Sequence, residues 1–130
     1  LERPSAVLLG CVVYPDLHNL VFPYLDRLVL ADQFIFPTFP MILAARDPDV
    51  AIRTVATHPA PRALVPAGAE ATLVTSNAEA ARLCALGRFD ACITTSAAAR
   101  KEGLVTLKDN GPVPMGFTIH AAHAIARRAA

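Results

Sequence analysis

Apolar residues fall into short runs separated by turn residues, and their spacing changes along the chain. Ala6 to Val13 is a continuous apolar run, which predicts a strand buried on both faces, as in a parallel sheet. Asp16 to Leu30 has helical spacing of its apolar residues but contains Pro23. Because proline breaks or kinks a helix, this segment predicts a short helix followed by an irregular turn.

The middle of the chain is aromatic and apolar but carries two prolines. Phe34 to Ala45 contains Pro37 and Pro40, which indicates an extended crossing segment or an edge strand, with a hinge. From Val50 onward the pattern alternates between strands and helices, as βαβ units require. The predicted strands are 51–56, 71–75, 89–94, 104–107 and 114–120, the predicted short helices are 61–65 and 96–102, and the tail 121–130 is helical or frayed.

A helix start can be located at Ser76. Ser76 and Glu79 have the spacing of a reciprocal capping box at the head of an alanine-rich helix. Gly87 and Gly103 follow the predicted helices, where glycine ends a helix in the left-handed conformation.

Composition narrows the class of partner. The chain has 130 residues, 54% of them hydrophobic, and a formal net charge of +1. No apolar run approaches the roughly 20 residues that span a bilayer, and no basic cluster exceeds Arg127-Arg128. We therefore expect one domain that binds a small molecule, with no nucleic acid or membrane partner.

The three cysteines bear on metal binding and on the cellular compartment. Cys11, Cys84 and Cys92 are odd in number and lack the spacing of a metal site. We interpret them as buried thiols in a reducing cytoplasm and predict no metal site. The chain start also lacks the pattern of a secretory signal.

Hydroxyl-bearing turns follow three predicted strands. They are Thr57-His58-Pro59, Thr75-Ser76-Asn77 and Thr94-Thr95-Ser96. Ligands of open α/β sheets bind at the carboxyl ends of strands, and a helix N-terminus offers free N–H groups that suit a carboxylate. Ser76 and Thr95 could equally be ordinary helix caps, and the pattern leaves both interpretations open.

The histidines give weaker signals. His58 could donate a proton, anchor its turn or be exposed, and anchoring is favoured because no partner is evident. His18 and Asn19 either face the same crevice or lie on a solvent-exposed helix face, whereas His120 and His123 are interpreted as tail residues. Phosphate-loop, nucleophile-elbow and zinc-protease motifs are missing, which favours chemistry without a cofactor.

With these loops located, residues of about 50–120 resemble the catalytic domain of prephenate dehydratases. Thr57-His58-Pro59 stands where that family has Ser-His-Pro, and Ser76 to Arg82 is similar to its Ser-Thr-Ala-x-Ala-Ala segment. The strand Phe89 to Ile93, the pair Ala97-Ala98 and Gly103-Leu104 follow in the family's order.

The resemblance implies an α/β fold of three layers and two lobes, the periplasmic-binding-protein type II fold, with an incomplete first lobe. The family's first Gly-Pro-x-Gly-Thr turn would precede residue 1. We expect a single domain in which 1–48 hold the rest of the first lobe and a crossing segment, 49–112 the second lobe, and 113–130 a return segment and tail. A second copy of the chain could complete the site.

One departure from the family changes the expected reaction. Met115-Gly116-Phe117 replaces the dehydratase motif Thr-Arg-Phe, whose Thr is implicated in expelling the ring hydroxyl. Together with Pro40-Met41-Ile42, this is most similar to prephenate decarboxylases of bacilysin-type antibiotic pathways. The resemblance implies a cofactor-free lyase that removes CO₂ without aromatising the ring, with a related enzyme acting on another natural-product acid and a non-catalytic acid-binding module as alternatives. Its implied substrate-binding residues are Thr57, His58, Ser76, Asn77, Thr94 and Thr95, with His58 the catalytic candidate.

Overall fold

The computed structural model describes residues 7–12, 14 and 16–122. The chain divides into two units, one formed by Leu1–Pro37 with Pro114–Ala130 and the other by Thr38–Val113. In chain order the elements are β1 Val7–Cys11, α1 Leu17–Val21, β2 Leu28–Pro37, β3 Met41–Ala45, β4 Thr54–Thr57, β5 Glu70–Leu73, α2 Asn77–Ala85, β6 Ala91–Thr95, α3 Ser96–Lys101, β7 Val105–Asp109 and β8 Pro114–Ala122, with 3-10 turns at Phe22–Tyr24 and Ala60–Leu64.

The first unit is an antiparallel sheet of three strands in the order β1-β8-β2. The prediction of a β1 buried on both faces in a parallel sheet is wrong. β1 is an edge strand, and its Val7 and Leu9 side chains are 51% and 57% exposed. A short apolar run has the same sequence signature whether or not its faces are covered, so the run alone could not reveal this.

The segment 16–45 also differs from its prediction. The short helix is confirmed as α1, and the irregular turn is present as the 3-10 turn Phe22–Tyr24 and the turn residues that follow it, but β2 already begins at Leu28. The predicted crossing segment or edge strand 34–45 is divided between β2, which is an edge strand as predicted, and β3, with a break at Thr38–Pro40. β3 is a central strand, paired by β6 and by β7. Its five residues are all buried because both faces of the sheet are covered at this strand.

The second unit is a mixed sheet of five strands in the order β5-β4-β6-β3-β7. β4 pairs in parallel with both β5 and β6, whereas β3 is antiparallel to its neighbours. The βαβ alternation predicted from Val50 onward is thus confirmed. Both faces of this sheet are covered: residues of α2 and α3 pack on one face, and the Ala60–Leu64 turn and adjoining loops supply Leu64 and Val65 to the other.

Small side chains let the helices approach the sheet closely. Ala80, Ala81 and Cys84 of α2 are fully buried against Cys92 of β6 and its neighbours. Cys84 and Cys92 are therefore buried thiols, as predicted, and Cys11 is half-buried. A hydrogen bond between the two buried thiols lowers the pKa of Cys84, and the same bond raises the pKa of Cys92.

The helix ends were largely predictable because capping is local. Ser76 Oγ accepts a hydrogen bond from the Glu79 N–H at 3.0 Å, and Gly87 and Gly103 have φ of +83° and +70° just after α2 and α3. Glu79 does not form the reciprocal half of the capping box. Its carboxylate instead accepts two hydrogen bonds from the Arg82 guanidinium, which lowers the pKa of Glu79.

Asp90 joins the starts of β4 and β6. Its Oδ2 accepts hydrogen bonds from the N–H groups of Arg53 and Thr54 at 2.9 and 3.0 Å and from the Thr54 hydroxyl at 3.3 Å. The Asp90 N–H donates in turn to Thr54 Oγ1 at 3.1 Å. The Arg53 N–H, followed by that of Thr54, lowers the pKa of this carboxyl.

This arrangement predicts a loss of stability in acid. A depressed folded-state pKa stabilises the fold above the unfolded value, about 3.9, and the contribution disappears as the pH falls through the folded value. We expect the urea midpoint of the wild type to fall more steeply between pH 5 and pH 3 than that of Asp90→Asn. The exposed Asp49→Asn is the matched control and should follow the wild type; equal slopes for Asp90→Asn and the wild type would contradict the prediction.

Candidate functional site

The carboxyl ends of β4, β5 and β6 lie at one edge of the second unit's sheet. Thr57 pairs with Leu73 of β5, and Ala56 pairs with Cys92 of β6. The same edge carries the start of β3, where Met41 pairs with Thr95, and the end of β7. We call this the strand-end edge; it holds all six residues predicted to bind substrate.

Two of the predicted hydroxyls are turned inward. Thr57 and Thr94 are fully buried. Thr57 Oγ1 donates to the carbonyl oxygen of His58 at 2.9 Å, and Thr94 Oγ1 donates to the carbonyl oxygen of Asn77 at 2.7 Å. These hydroxyls therefore shape the backbone of the strand-end edge, and the second one ties the end of β6 to the first residue of α2.

The hydroxyls of Ser76 and Thr95 cap helices as acceptors, so each still has a proton to donate. Ser76 Oγ accepts from the Glu79 N–H, and Thr95 Oγ1 accepts from the Ala98 N–H at 3.1 Å. Within the described residues no acceptor is found for the N–H groups of Asn77 and Ala78, the first two of α2. The start of α2 thus offers hydrogen-bond donors and a partial positive charge, and this combination favours the binding of an anion.

His58 is half-buried, and its Nδ1 accepts a hydrogen bond from the Ala60 N–H at 3.4 Å. This contact anchors the turn that follows β4. The remaining histidines lie elsewhere: His18 is exposed on α1 of the first unit beside Asn19. The prediction that His120 is a tail residue is wrong, because β8 continues to Ala122 and buries it; His123 lies outside the described residues.

Two asparagines leave polar atoms unsatisfied at this edge. Asn77 Oδ1 and Asn110 Nδ2 are buried without a hydrogen-bond partner in the part of the chain that the structure describes. The Asn110 N–H donates to the Met41 carbonyl oxygen, which places Asn110 beside β3 and about two strand spacings, roughly 10 Å, from β6. Sequence reasoning missed Asn110, since Asp109-Asn110-Gly111-Pro112 is interpreted as a simple turn; its position directly after a strand was the available signal.

Charge is scarce at the strand ends. Among the described residues that end or directly follow these strands, His58 and Asp109 are titratable, and the Asp109 carboxylate accepts the Gly111 N–H at 2.7 Å. One turn into α2 lies Glu79, whose carboxylate is paired with Arg82. Among the described residues, no group of three His, Cys, Asp or Glu side chains could hold a metal ion. No helix in the described ranges is long and apolar enough to cross a membrane. The arrangement can bind an anion through neutral donors.

The Met115-Gly116-Phe117 motif belongs to β8 in the first unit. The Phe117 ring stacks on that of Phe34 in β2, with centroids 5.4 Å apart and an interplanar angle of 19°. The retained phenylalanine of the motif therefore has a packing partner within its own sheet.

No family model and no curated protein matches the chain, but solved structures do. GqqA, described as a novel type of quorum quenching acylase, aligns with a TM-score of 0.59 at 20% identity over 89% of this chain. The prephenate dehydratase of Arthrobacter aurescens, in complex with L-Phe, aligns with a TM-score of 0.54 at 23% identity over 72% of the chain. A periplasmic His/Glu/Gln/Arg/opine family-binding protein of Silicibacter pomeroyi, in complex with lysine, aligns with a TM-score of 0.51 at 14% identity over 84% of the chain.

The chain spans about half of these structures or less: 47% of GqqA, 36% of the dehydratase and 54% of the binding protein. At these identities the likeness concerns the fold. The predicted fold class is confirmed: the chain has the α/β fold that prephenate dehydratase domains share with periplasmic-binding proteins of type II.

Proposed function

We propose that the second unit binds a carboxylate of a small organic acid at the strand-end edge. The donors are the N–H groups of Asn77 and Ala78 and the hydroxyls of Ser76 and Thr95. Thr94 positions the start of α2 through its hydrogen bond to the Asn77 carbonyl oxygen, and Thr57 and His58 hold the neighbouring turn after β4.

The start of α2 is the observation that carries this proposal. Its first two N–H groups have no acceptor within the described residues, and its N-cap hydroxyl retains a proton. The Thr94 hydroxyl holds the Asn77 carbonyl oxygen in place at 2.7 Å. A preorganised set of neutral donors binds a carboxylate without a counter-charge, because each N–H group and the helix dipole contribute.

As the reaction, we propose decarboxylation of prephenate or a related cyclic dicarboxylate without aromatisation. The C–C bond to the ring carboxylate breaks, CO₂ leaves, its electron pair enters the ring and a ring alkene carbon takes up a proton. The ring hydroxyl must stay in place. Met115 stands where the resembling dehydratases have the Thr implicated in expelling that hydroxyl. A site without an acid near the hydroxyl favours loss of CO₂ alone.

Incubation of the purified protein with prephenate at pH 8, where the uncatalysed acid reaction is slow, tests this proposal. We expect a non-aromatic dihydro-hydroxyphenylpyruvate and one CO₂ per prephenate consumed, as followed by chromatography with mass detection. Phenylpyruvate would instead show a dehydratase. Prephenate that is left unchanged, with heat-inactivated protein as the control, would exclude both reactions.

A non-catalytic acid-binding module is the second candidate. It is favoured by the hydrogen bonds of His58 and Asp109, described titratable residues that end or follow strands at this edge, because each already accepts a backbone N–H group. A thermal shift with a panel of hydroxy and keto acids, without turnover, would support it. Turnover of a different acid in that panel would favour the related enzyme of natural-product metabolism.

We also propose a cytoplasmic location and assembly into a homo-oligomer. Cys11, Cys84 and Cys92 are unpaired thiols, which a reducing compartment preserves. Exposed apolar side chains such as Ile35, Phe36 and Leu9 crowd the first unit's sheet, and such surfaces favour association. Sedimentation at several protein concentrations tests the assembly.

A further inference from the structure

The outer edge of β1 presents backbone groups that point away from the rest of the first unit's sheet. The Val12 N–H donates to the Gly116 carbonyl oxygen at 2.9 Å and continues the pairing of β1 with β8. Because successive residues of an antiparallel strand bond to opposite sides, the N–H and C=O groups of Val7, Leu9 and Cys11 point away from β8. Among the described residues, no strand pairs with this side of β1.

Nothing in the sequence of β1 protects this edge. Val7–Cys11 contains no proline and no charged residue, and its pairing with β8 has no bulge. The Cys11 carbonyl oxygen accepts the Tyr14 N–H at 2.9 Å, where the chain turns, but the described part of the chain supplies no acceptor for the outward N–H groups. The side chains of Val7 and Leu9 are 51% and 57% exposed. An uncharged, apolar edge of this kind is a template for the addition of a strand.

The opposite edge of the same sheet, formed by β2, has the same potential for pairing. The Thr38 N–H donates to the Val113 carbonyl oxygen at 2.9 Å and continues the register of β2 with β8. By the same alternation, Gln33, Ile35 and Pro37 point away from β8. The two edges can therefore be compared group by group.

The edge of β2 is protected where that of β1 is not. The Gln33 N–H already donates to Asp32 Oδ1 at 2.8 Å, Pro37 has no N–H group, and the register shifts between Leu30 and Asp32. An exposed charge, a proline and a bulge are devices by which natural proteins prevent pairing at an edge. Because β2 has all three and β1 has none, β1 is the edge of this sheet that is suited to pairing.

We propose that β1 pairs antiparallel with the β1 strand of a second copy of this chain, which joins the two three-stranded sheets into one. This pairing rests on the homo-oligomer proposed above and identifies its interface. A strand that lies antiparallel to its own copy satisfies the two-fold symmetry of a dimer, and β1 has no charge that would be repelled across the axis. A register centred on Leu9 sets Leu9 opposite Leu9 and Val7 opposite Cys11 of the other copy, and it uses all three outward residues.

The size of this interface determines the expected affinity. The two Leu9 residues bond to each other through both backbone groups, and each Cys11 N–H donates to the Val7 carbonyl oxygen of the other copy. The exposed Val7 and Leu9 side chains gain cross-strand neighbours. A pair of five-residue strands buries less than the roughly 1,200 Å² below which interfaces are weak and transient. We therefore expect a reversible dimer with a dissociation constant on the order of 10 µM.

Sedimentation equilibrium of the intact chain and of two lysine variants tests this interface. Leu9→Lys places like charges opposite each other on the two-fold axis, which should weaken dimerisation about tenfold or more. Ile35→Lys is the matched control, because Ile35 is 77% exposed on the protected edge of β2, and this variant should dimerise like the wild type. Both side chains are exposed, so both variants should fold, which circular dichroism would verify.

Cross-linking by oxidised glutathione tests the register and does not depend on the lysine variants. In a Cys11→Ala background, Leu9→Cys should form an intermolecular disulfide, because directly opposed Cα atoms lie about 5.5 Å apart. Ile35→Cys in the same background should not. Val7→Cys with Cys11 retained should cross-link to Cys11 of the second copy.

A wild type that stays monomeric well above the expected dissociation constant would overturn the proposal. Equal dimerisation of Leu9→Lys and Ile35→Lys, or equal cross-linking of Leu9→Cys and Ile35→Cys, would do the same. An oligomer that persists unchanged in Leu9→Lys would leave the homo-oligomer standing but would refute β1 as its interface. Prephenate turnover is assigned to the second unit, whereas β1 belongs to the first, so a failure of either one is distinguishable from a failure of the other.

Discussion

Asn77→Pro is expected to weaken binding of prephenate by about ten- to a hundredfold, the effect of removing one hydrogen bond to a charged group. Proline has no N–H group, and it is tolerated at the first position of a helix. The preceding Ser76 has φ of −161° and ψ of 165°, the extended conformation that a residue before proline prefers. The Asn77 carbonyl oxygen, which accepts from the Thr94 hydroxyl, is retained in the variant.

Asn77→Ala is the comparison that separates backbone from side chain. It removes the amide, including the unsatisfied Oδ1, but keeps the N–H group. Calorimetric dissociation constants for prephenate should rank the wild type and Asn77→Ala close together, with Asn77→Pro much weaker. If both variants bind equally weakly, the asparagine side chain and not the helix start holds the ligand; if both bind like the wild type, the carboxylate site is elsewhere.

The second unit could be predicted from sequence because its signals are local. The Ser76 cap, the glycines after α2 and α3 and the alternation of strands and helices each depend on a few neighbouring residues. Family resemblance then supplied the fold. The sequence also located the strand-end hydroxyls but not their direction: whether Thr94 faces a ligand or the Asn77 carbonyl oxygen depends on packing between residues 17 positions apart.

The first unit was harder to predict for the same physical reason. β1 and β8 pair residues more than a hundred positions apart, such as Val7 with Ala121, and no local pattern encodes such a partner. For β3 the local pattern was misleading. The prolines near its start indicated an edge strand, but β3 is central. Pro40 precedes the paired residues and therefore costs no ladder hydrogen bond. Asn110 was not predicted as a site residue because the turn-forming residues around it indicated a simple turn, and its position beside Met41 is not encoded locally.

Thr94→Val is expected to lower the free energy of unfolding by about 1 to 3 kcal/mol, the cost of leaving a buried group without its hydrogen bond. Valine has nearly the shape of threonine, so little cavity forms. Thr94 is fully buried, and water therefore does not replace the lost donor to the Asn77 carbonyl oxygen. Because this bond ties β6 to the start of α2, the variant should also bind prephenate more weakly than the wild type.

Thr72→Val is the matched control, since Thr72 is exposed on the outer strand β5 and its replacement should change stability by less than about 0.5 kcal/mol. Urea unfolding and prephenate calorimetry on the two variants give both readouts. A Thr94→Val protein that is destabilised but binds normally would make the Thr94 hydroxyl purely structural. A protein that is as stable as the wild type but has lost binding would instead make this hydroxyl a direct ligand group, as the strand-end pattern alone suggested, and would require Thr94 to turn away from Asn77 when the acid binds.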